Sequence, residues 1–212
     1  MNLIDPRVAD HLAALVPPRP PLLRELERRA EETGFPIIGP VAGHFCYLIA
    51  RLTGARRVFE LGSGFGYSTA WFARAVHENG GGEVHHAVRD ETLSAEARTN
   101  LEALGYGPLI RYHVGEAVAA LRAIAGPFDL IFNDIDKAGY PASLPVIREQ
   151  LRPDGVLIVD NALWHGRIFD TGDTSSATAG VRALTAALRD ERQWLTSLVP
   201  IRDGLLLAMK RE

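Results

Sequence analysis

The chain has 212 residues, 47% of them hydrophobic and 23% charged, with a formal net charge of −3. That length builds one sizeable core, its composition excludes a disordered or fibrous protein, and its charge leaves no footprint for nucleic acid or an anionic membrane. One cysteine fits a reducing cytoplasm, Asp5 breaks the N-terminus before any signal-like apolar run, and no window approaches about 18 apolar residues, so a single cytoplasmic domain over residues 1–212 is expected.

In chain order, Val8, Leu12 and Leu15 recur at helical spacing until Pro17-Pro18-Arg19-Pro20-Pro21 stops the helix. A second helix sets Leu22, Leu23, Leu26 and Ala30 opposite Glu25, Glu27, Arg28, Arg29 and Glu31, and closes at Gly34. The third carries Phe45, Leu48, Ile49 and Leu52 on one face, with Gly54 at its end. From Arg56 the pattern alternates. Apolar runs suited to buried parallel strands fall at 57–61, 83–88, 109–114, 128–133 and 156–159. Helical segments separate them at 67–77, 91–104, 116–125 and 140–151.

Five strands alternating with helices predict a doubly wound parallel α/β sheet with helices on both faces. The segment 171–179 reads as a flexible polar loop, and a helix bearing Val181, Leu184 and Leu188 follows. The runs 194–200 and 205–209 are joined by Ile201-Arg202-Asp203-Gly204, too short for a crossover helix. They must form an antiparallel hairpin, which brings the sheet to seven strands.

The first chemical signal is Glu60-Leu61-Gly62-Ser63-Gly64-Phe65-Gly66-Tyr67-Ser68, where a strand gives way to a helix. Its glycines permit a tight turn and close approach of a ligand, and the helix N-terminus offers free N–H groups. The spacing is G-x-G-x-G rather than the G-x-G-x-x-G of dinucleotide binders. A carboxylate at Glu60 suits an ammonium or a hydroxyl better than a pyrophosphate, which favours S-adenosylmethionine over a nicotinamide dinucleotide. Glycines that only pack a strand on a helix are the plainer alternative.

Asp134, Asp136 and Lys137 follow the fourth strand, and Asp160-Asn161 follows the fifth. In an open α/β sheet the functional crevice lies beyond the carboxyl ends of the strands at the switch point, so Glu60, Asp134, Asp160 and Asn161 should converge. Two carboxylates and an amide oxygen are hard ligands for Mg²⁺, Mn²⁺ or Ca²⁺. Acids that merely cap helices, or an Asx turn at Asp160-Asn161, are the alternative. Asp136, two positions on from Asp134, should point away.

The segments FELGSGFGYS, FNDIDKAGY, LIVDNALWHG and PIRDGLLLA, in this order, resemble the metal-dependent O-methyltransferases that include the catechol and caffeoyl-CoA enzymes. The resemblance runs from about Phe45 to Lys210. It implies a Rossmann-like methyltransferase core at 45–212, preceded by a helical cap or dimerisation segment at 1–44. It implies S-adenosylmethionine against Glu60, Gly62, Ser63, Gly64, Gly66, Tyr67, Ser68, Glu116, Ala117 and Asp134, and a divalent metal (Mg²⁺ first) on Asp134, Asp160 and Asn161. Lys137 would accept the hydroxyl proton, and Trp164, His165 and Asp203 would lie towards the acceptor. The implied protein is a homodimer acting on a small vicinal-dihydroxy phenolic acceptor, with no nucleic-acid or membrane partner.

Two positions depart from that pattern: the Gly-Asp-Ala implied after the third strand reads Gly115-Glu116-Ala117, a mild change, and the second departure matters more. The acid expected at the end of the second strand is Val88. Loss of a charged hydrogen bond to the ribose would cost about 1.5–3 kcal/mol, roughly ten- to a hundredfold in affinity. Either Asp90 replaces it or cofactor binding is weakened, which leaves a binding protein on the same fold as the second hypothesis. A metal-assisted hydrolase is the third, and gives Glu60 and the glycine loop no role.

Overall fold

The computed structural model describes residues 5–212, so the first four residues of the expected N-terminal segment lie outside the described residues. Helices α1 (Pro6–Ala14), α2 (Pro21–Thr33) and α3 (Gly39–Leu52) precede the sheet. Five strands then alternate with helices: β1 (Arg57–Leu61), α4 (Tyr67–Glu78), β2 (Glu83–Val88), α5 (Glu91–Ala103), β3 (Ile110–Val114), α6 (Ala117–Ala123), β4 (Phe128–Asn133), α7 (Tyr140–Gln150) and β5 (Leu151–Val159). Helix α8 (Ser176–Asp190) and strands β6 (Trp194–Val199) and β7 (Leu205–Lys210) complete the chain. The sheet order is β3-β2-β1-β4-β5-β7-β6, and β7 runs antiparallel to both neighbours. The chain winds outward from β1 in both directions, so the switch point lies between β1 and β4.

Alternation along each strand divides the apolar side chains between two cores. Val58, Leu130 and Ile158 face α3, α4 and α5, where Cys46, Trp71, Phe72 and Leu101 are buried. Phe59, Ile131 and Leu157 face α6, α7 and α8, where Leu121, Ile147, Val181 and Leu184 are buried. His85 and His86 obey the same alternation. His85 stacks on Phe59 in the second core, and His86 meets Thr69 and Tyr112 on the other face.

Two expectations need correction. Strand β5 starts at Leu151, not Val156, because Leu151 already pairs with Phe128 before the register shifts. The residues between form a bulge, with Asp154 at φ 57°. The segment 171–179 is not a loop throughout. Ser175 caps α8, and Asp173 accepts from Ser175, Thr178 and Arg167, so the connection is held by its own hydrogen bonds.

Candidate active site

The carboxyl ends of β1, β4 and β5 are laced together by the backbone. Asp134 N donates to Leu61 O at 2.9 Å, and Asp160 N donates to Asn133 O at 3.1 Å. This lacing fixes where the three acidic strand ends project. Gly62 tightens it further: at φ 92°, a Cβ there would lie 2.4 Å from the Asp134 carbonyl oxygen. Gly66 likewise seats the start of α4 against Ala97 and Leu101. Two of the three loop glycines therefore pack protein on protein, and Gly64 lies under the Phe35 ring.

Asp134 Oδ1 accepts from the buried ammonium of Lys137 at 2.6 Å, and Lys137 Nζ also donates to the Ile135 carbonyl at 3.2 Å. Asp160 is 1% exposed. Its Oδ2 accepts from Arg202 Nη1 at 2.7 Å, and its Oδ1 is buried with no partner. Asn161 Nδ2 donates to Asp203 Oδ2 at 3.0 Å. A carboxylate only accepts, so this contact fixes the amide orientation and leaves Asn161 Oδ1 as a free acceptor. Asp203, expected towards the acceptor, is instead buried beneath Asn161, where Oδ1 also takes the His165 backbone N–H at 2.6 Å.

Four non-glycine residues here adopt the left-handed region: Asn161, Trp164, His165 and Arg202, at φ 54°, 47°, 53° and 52°. Such conformations cost about 1–3 kcal/mol each unless the surroundings hold them, and they gather at functional sites. Asp203 supplies that hold from the centre of the group.

Glu60 is fully buried at the end of β1. Its Oε2 accepts from Thr69 Oγ1 at 2.5 Å, and its Oε1 has no partner. Burial pushes its carboxyl up to about 7, against the hydrogen bond from Thr69, which favours the ionised form. Behind Thr69 lies His86, its Nδ1 3.0 Å from Thr69 Oγ1, a contact that sequence reasoning missed. Burial also raises Asp134 to about 6, helped by the charge of Asp160 and opposed by Lys137.

Asp134, Lys137, Asn161 and Arg202 face a cleft of two adjoining lobes, with Asp160 and Glu60 buried behind its wall. One, of about 720 Å³, is lined by Phe35, Pro36, Lys137, Asn161, Trp164, His165 and Arg202. The other, of about 480 Å³, is lined by Ala87, Arg89, Gly115, Glu116, Ala117 and Arg122. Gly62, Val88, Asp134, Ile135 and Asp136 line both. A smaller recess between Phe35 and the glycine loop includes Ser63, Tyr67 and Ser68.

Several expected cofactor contacts also serve the framework. The Tyr67 hydroxyl donates to Glu27 on α2 at 2.7 Å, Ser63 Oγ accepts from Ala87 N at 3.1 Å, and Glu116 caps α6 through both oxygens. Asp90 caps α5 through Leu93 N at 3.0 Å, its default role as a helix cap. Asp136 caps Ala138 N at 3.0 Å on the rim of the cleft. Arg202 and Phe35 went unnoticed. Only the topology, which folds the hairpin turn and the α2–α3 connection over the strand ends, reveals them.

The donor chemistry fits a small hard cation: an orphaned buried carboxylate oxygen on Asp160 beside a free amide oxygen on Asn161, with Asp134 opposite. Among the described residues no three of His, Cys, Asp and Glu gather into a metal cluster, because the third donor of this set is an amide. No described helix is long and apolar enough to cross a membrane.

A model of the O-methyltransferase family matches residues 16–211. The chain is 34% identical over 163 residues to a catechol O-methyltransferase of Niastella koreensis, a match spanning 74% of this chain and 73% of that one. Its fold superposes with a TM-score of 0.87 on the O-methyltransferase TomG of Streptomyces achromogenes in complex with S-adenosylmethionine, at 25% identity over 97% of this chain and 96% of that one. The same TM-score and identity relate it to an O-methyltransferase of Bacillus cereus in complex with S-adenosylhomocysteine, over 97% of both chains. With its sheet ended by an antiparallel hairpin and its cleft at the switch point, the chain belongs to the O-methyltransferase family of S-adenosylmethionine-dependent enzymes.

Proposed function

We propose that this enzyme methylates a hydroxyl of a small vicinal-dihydroxy aromatic acceptor, assisted by a divalent metal, Mg²⁺ first, on Asp134, Asp160 and Asn161. The observation that carries the reading is the unpartnered, buried Asp160 Oδ1 beside the free amide oxygen of Asn161 and the Lys137 ammonium. A bound divalent cation would draw a phenol's pKa of about 10 towards neutrality and fix the diol's orientation. S-adenosylmethionine supplies a sulfonium methyl already activated for transfer.

The chain's own residues do the rest. Lys137, seated by Asp134 and the Ile135 carbonyl, is the group placed to receive the hydroxyl proton at Nζ. Trp164 gives the larger lobe an apolar wall for an aromatic ring, and His165 stands at its exposed edge. Glu60 would offer Oε1 to the cofactor's ammonium from behind a recess lined by Gly62, Ser63, Gly64, Tyr67 and Ser68, with Gly66 fixing the helix start beside it. Ala117 and Glu116 border the nucleoside end. Alignment of oxygen and methyl supplies much of the remaining acceleration.

The helices of residues 1–44 belong to the same unit as 45–212 in this reading. Phe35 and Pro36 wall the cleft, which supports a cap. Val8, Leu15, Leu48 and Leu52 leave apolar surface exposed, which supports a homodimer. Transfer from labelled S-adenosylmethionine across a catechol panel tests the function: transfer abolished by chelation and restored by Mg²⁺ is expected, and transfer indifferent to chelator removes the metal. A second reading, a binding protein with weak cofactor use, is favoured by Val88. Micromolar calorimetric affinity for S-adenosylhomocysteine rejects it, and no binding at millimolar ligand supports it.

A further inference from the structure

The turn between β6 and β7 delivers two opposite charges to the site side by side. Asp203 orients Asn161, and Arg202 places a guanidinium nitrogen 2.7 Å from Asp160 Oδ2. Arg202 does so from φ 52°, a conformation that glycine adopts without strain and arginine does not. Its side chain is 31% exposed and borders the larger lobe with Lys137, Asn161 and Trp164. The two carboxylates of the site, on Asp134 and Asp160, each already have one internal cation within 2.7 Å, Lys137 and Arg202. These two pairs are neutral without any added ion, while Asp203 adds a further carboxylate beneath Asn161. A divalent cation on the same carboxylates would bring its double positive charge close to a guanidinium that cannot deprotonate.

We propose that Arg202 is a resident counter-cation that competes with the divalent metal for Asp160 and so sets the metal affinity of the enzyme. This rests on the metal reading given above, and extends it to a residue outside the ligand set. While the ion is absent, the guanidinium holds the Asp160 carboxylate in place through its 2.7 Å contact. When an ion binds, Arg202 must turn into the cleft, where a doubly ionisable acceptor offers it and the cation a common partner. Metal affinity is therefore low for the free enzyme and rises with the diol present.

The test is a Mn²⁺ titration of the full-length protein, read by the loss of the free-ion electron paramagnetic resonance signal, with no cofactor or acceptor added. Arg202→Gly relieves the backbone conformation and Arg202→Gln keeps most of the side chain without its charge; both should bind Mn²⁺ about tenfold tighter than the wild type through removal of a nearby like charge. Arg202→Lys should stay within a few-fold of the wild type. Equal, measurable affinity in wild type and neutral variants overturns the competition and leaves the metal reading standing. Weaker binding by folded neutral variants also overturns it, assigning Arg202 a purely structural role. No Mn²⁺ binding by any of the proteins, even after a catechol and S-adenosylhomocysteine are added, overturns both readings.

Discussion

Asp203 grips Asn161 from beneath, its Oδ2 accepting the side-chain amide at 3.0 Å while its Oδ1 accepts the His165 backbone N–H at 2.6 Å. The amide is thereby committed to present its oxygen to the cleft. Asp203→Ala frees the amide to flip and leaves two donors unsatisfied in a buried place. Turnover should fall about a hundredfold, and the melting temperature by several degrees from a loss of about 1–3 kcal/mol. Activity assays and thermal melts of the same preparation check both; an active, unshifted variant contradicts the arrangement.

Lys137 borders the larger lobe, proposed for the acceptor, and is not among the residues lining the smaller one. Lys137→Ala should therefore lower turnover by about a hundredfold or more while leaving S-adenosylhomocysteine affinity within a few-fold. Kinetics and calorimetry separate the two effects. Turnover that survives the substitution would move the proton acceptor elsewhere.

Glu60 titrates near 7 in the folded protein, against about 4.5 for an ordinary glutamate. A raised carboxyl contributes stability below its unfolded pKa and loses it as pH rises through the folded one. His86 works the other way, since burial depresses it to about 3 and stability rises with pH up to its ordinary value near 6.5. Comparison with Glu60→Gln isolates the carboxyl. Without ligand, the wild type should lose stability relative to the variant progressively as pH rises from about 4.5 through 7, and the difference should then stay constant. A difference that does not vary with pH would contradict the buried carboxyl.

The same group predicts a proton count. If the cofactor's ammonium meets Glu60 Oε1, binding favours the ionised carboxylate and releases part of a proton at pH 7. Calorimetric titration with S-adenosylhomocysteine in two buffers of different ionisation enthalpy measures it. Glu60→Gln should abolish the buffer dependence.

Val88 lines both lobes where an acid was expected, and Asp90 is occupied as a helix cap. Val88→Asp should tighten S-adenosylhomocysteine binding by about tenfold or more if a charged hydrogen bond to the ribose is restored. Unchanged affinity would show that another group, such as Arg89, already serves the hydroxyls.

Much of this arrangement was legible because local chemistry and global topology agree. Charge appears abruptly after Asn133 and after Val159, at the ends of buried strands, and a doubly wound sheet brings such ends together. Four residues between the last apolar runs left no option but a hairpin. What stayed hidden is long-range. Nothing in Arg202 as a turn residue announces that it lies against Asp160, 42 positions earlier, or that its neighbour Asp203 is a buried support. Glu60 was visible as an acid at a strand end, yet its chain through Thr69 to His86 depends on a parallel register that pairs Glu60 with His86. The start of β5 was hidden by its bulge, since Pro153 and Gly155 interrupt the apolar run that marks a strand.

The antiparallel hairpin also sets the order in which the enzyme can become competent. The carboxylates and Lys137 are in place once β5 has joined β4, but the groups that aim Asn161 and neutralise Asp160 arrive only with the final strand pair. A chain in which β6 and β7 have not yet paired thus holds its acids without the groups that aim and neutralise them, and the centre is finished only when the whole sheet is.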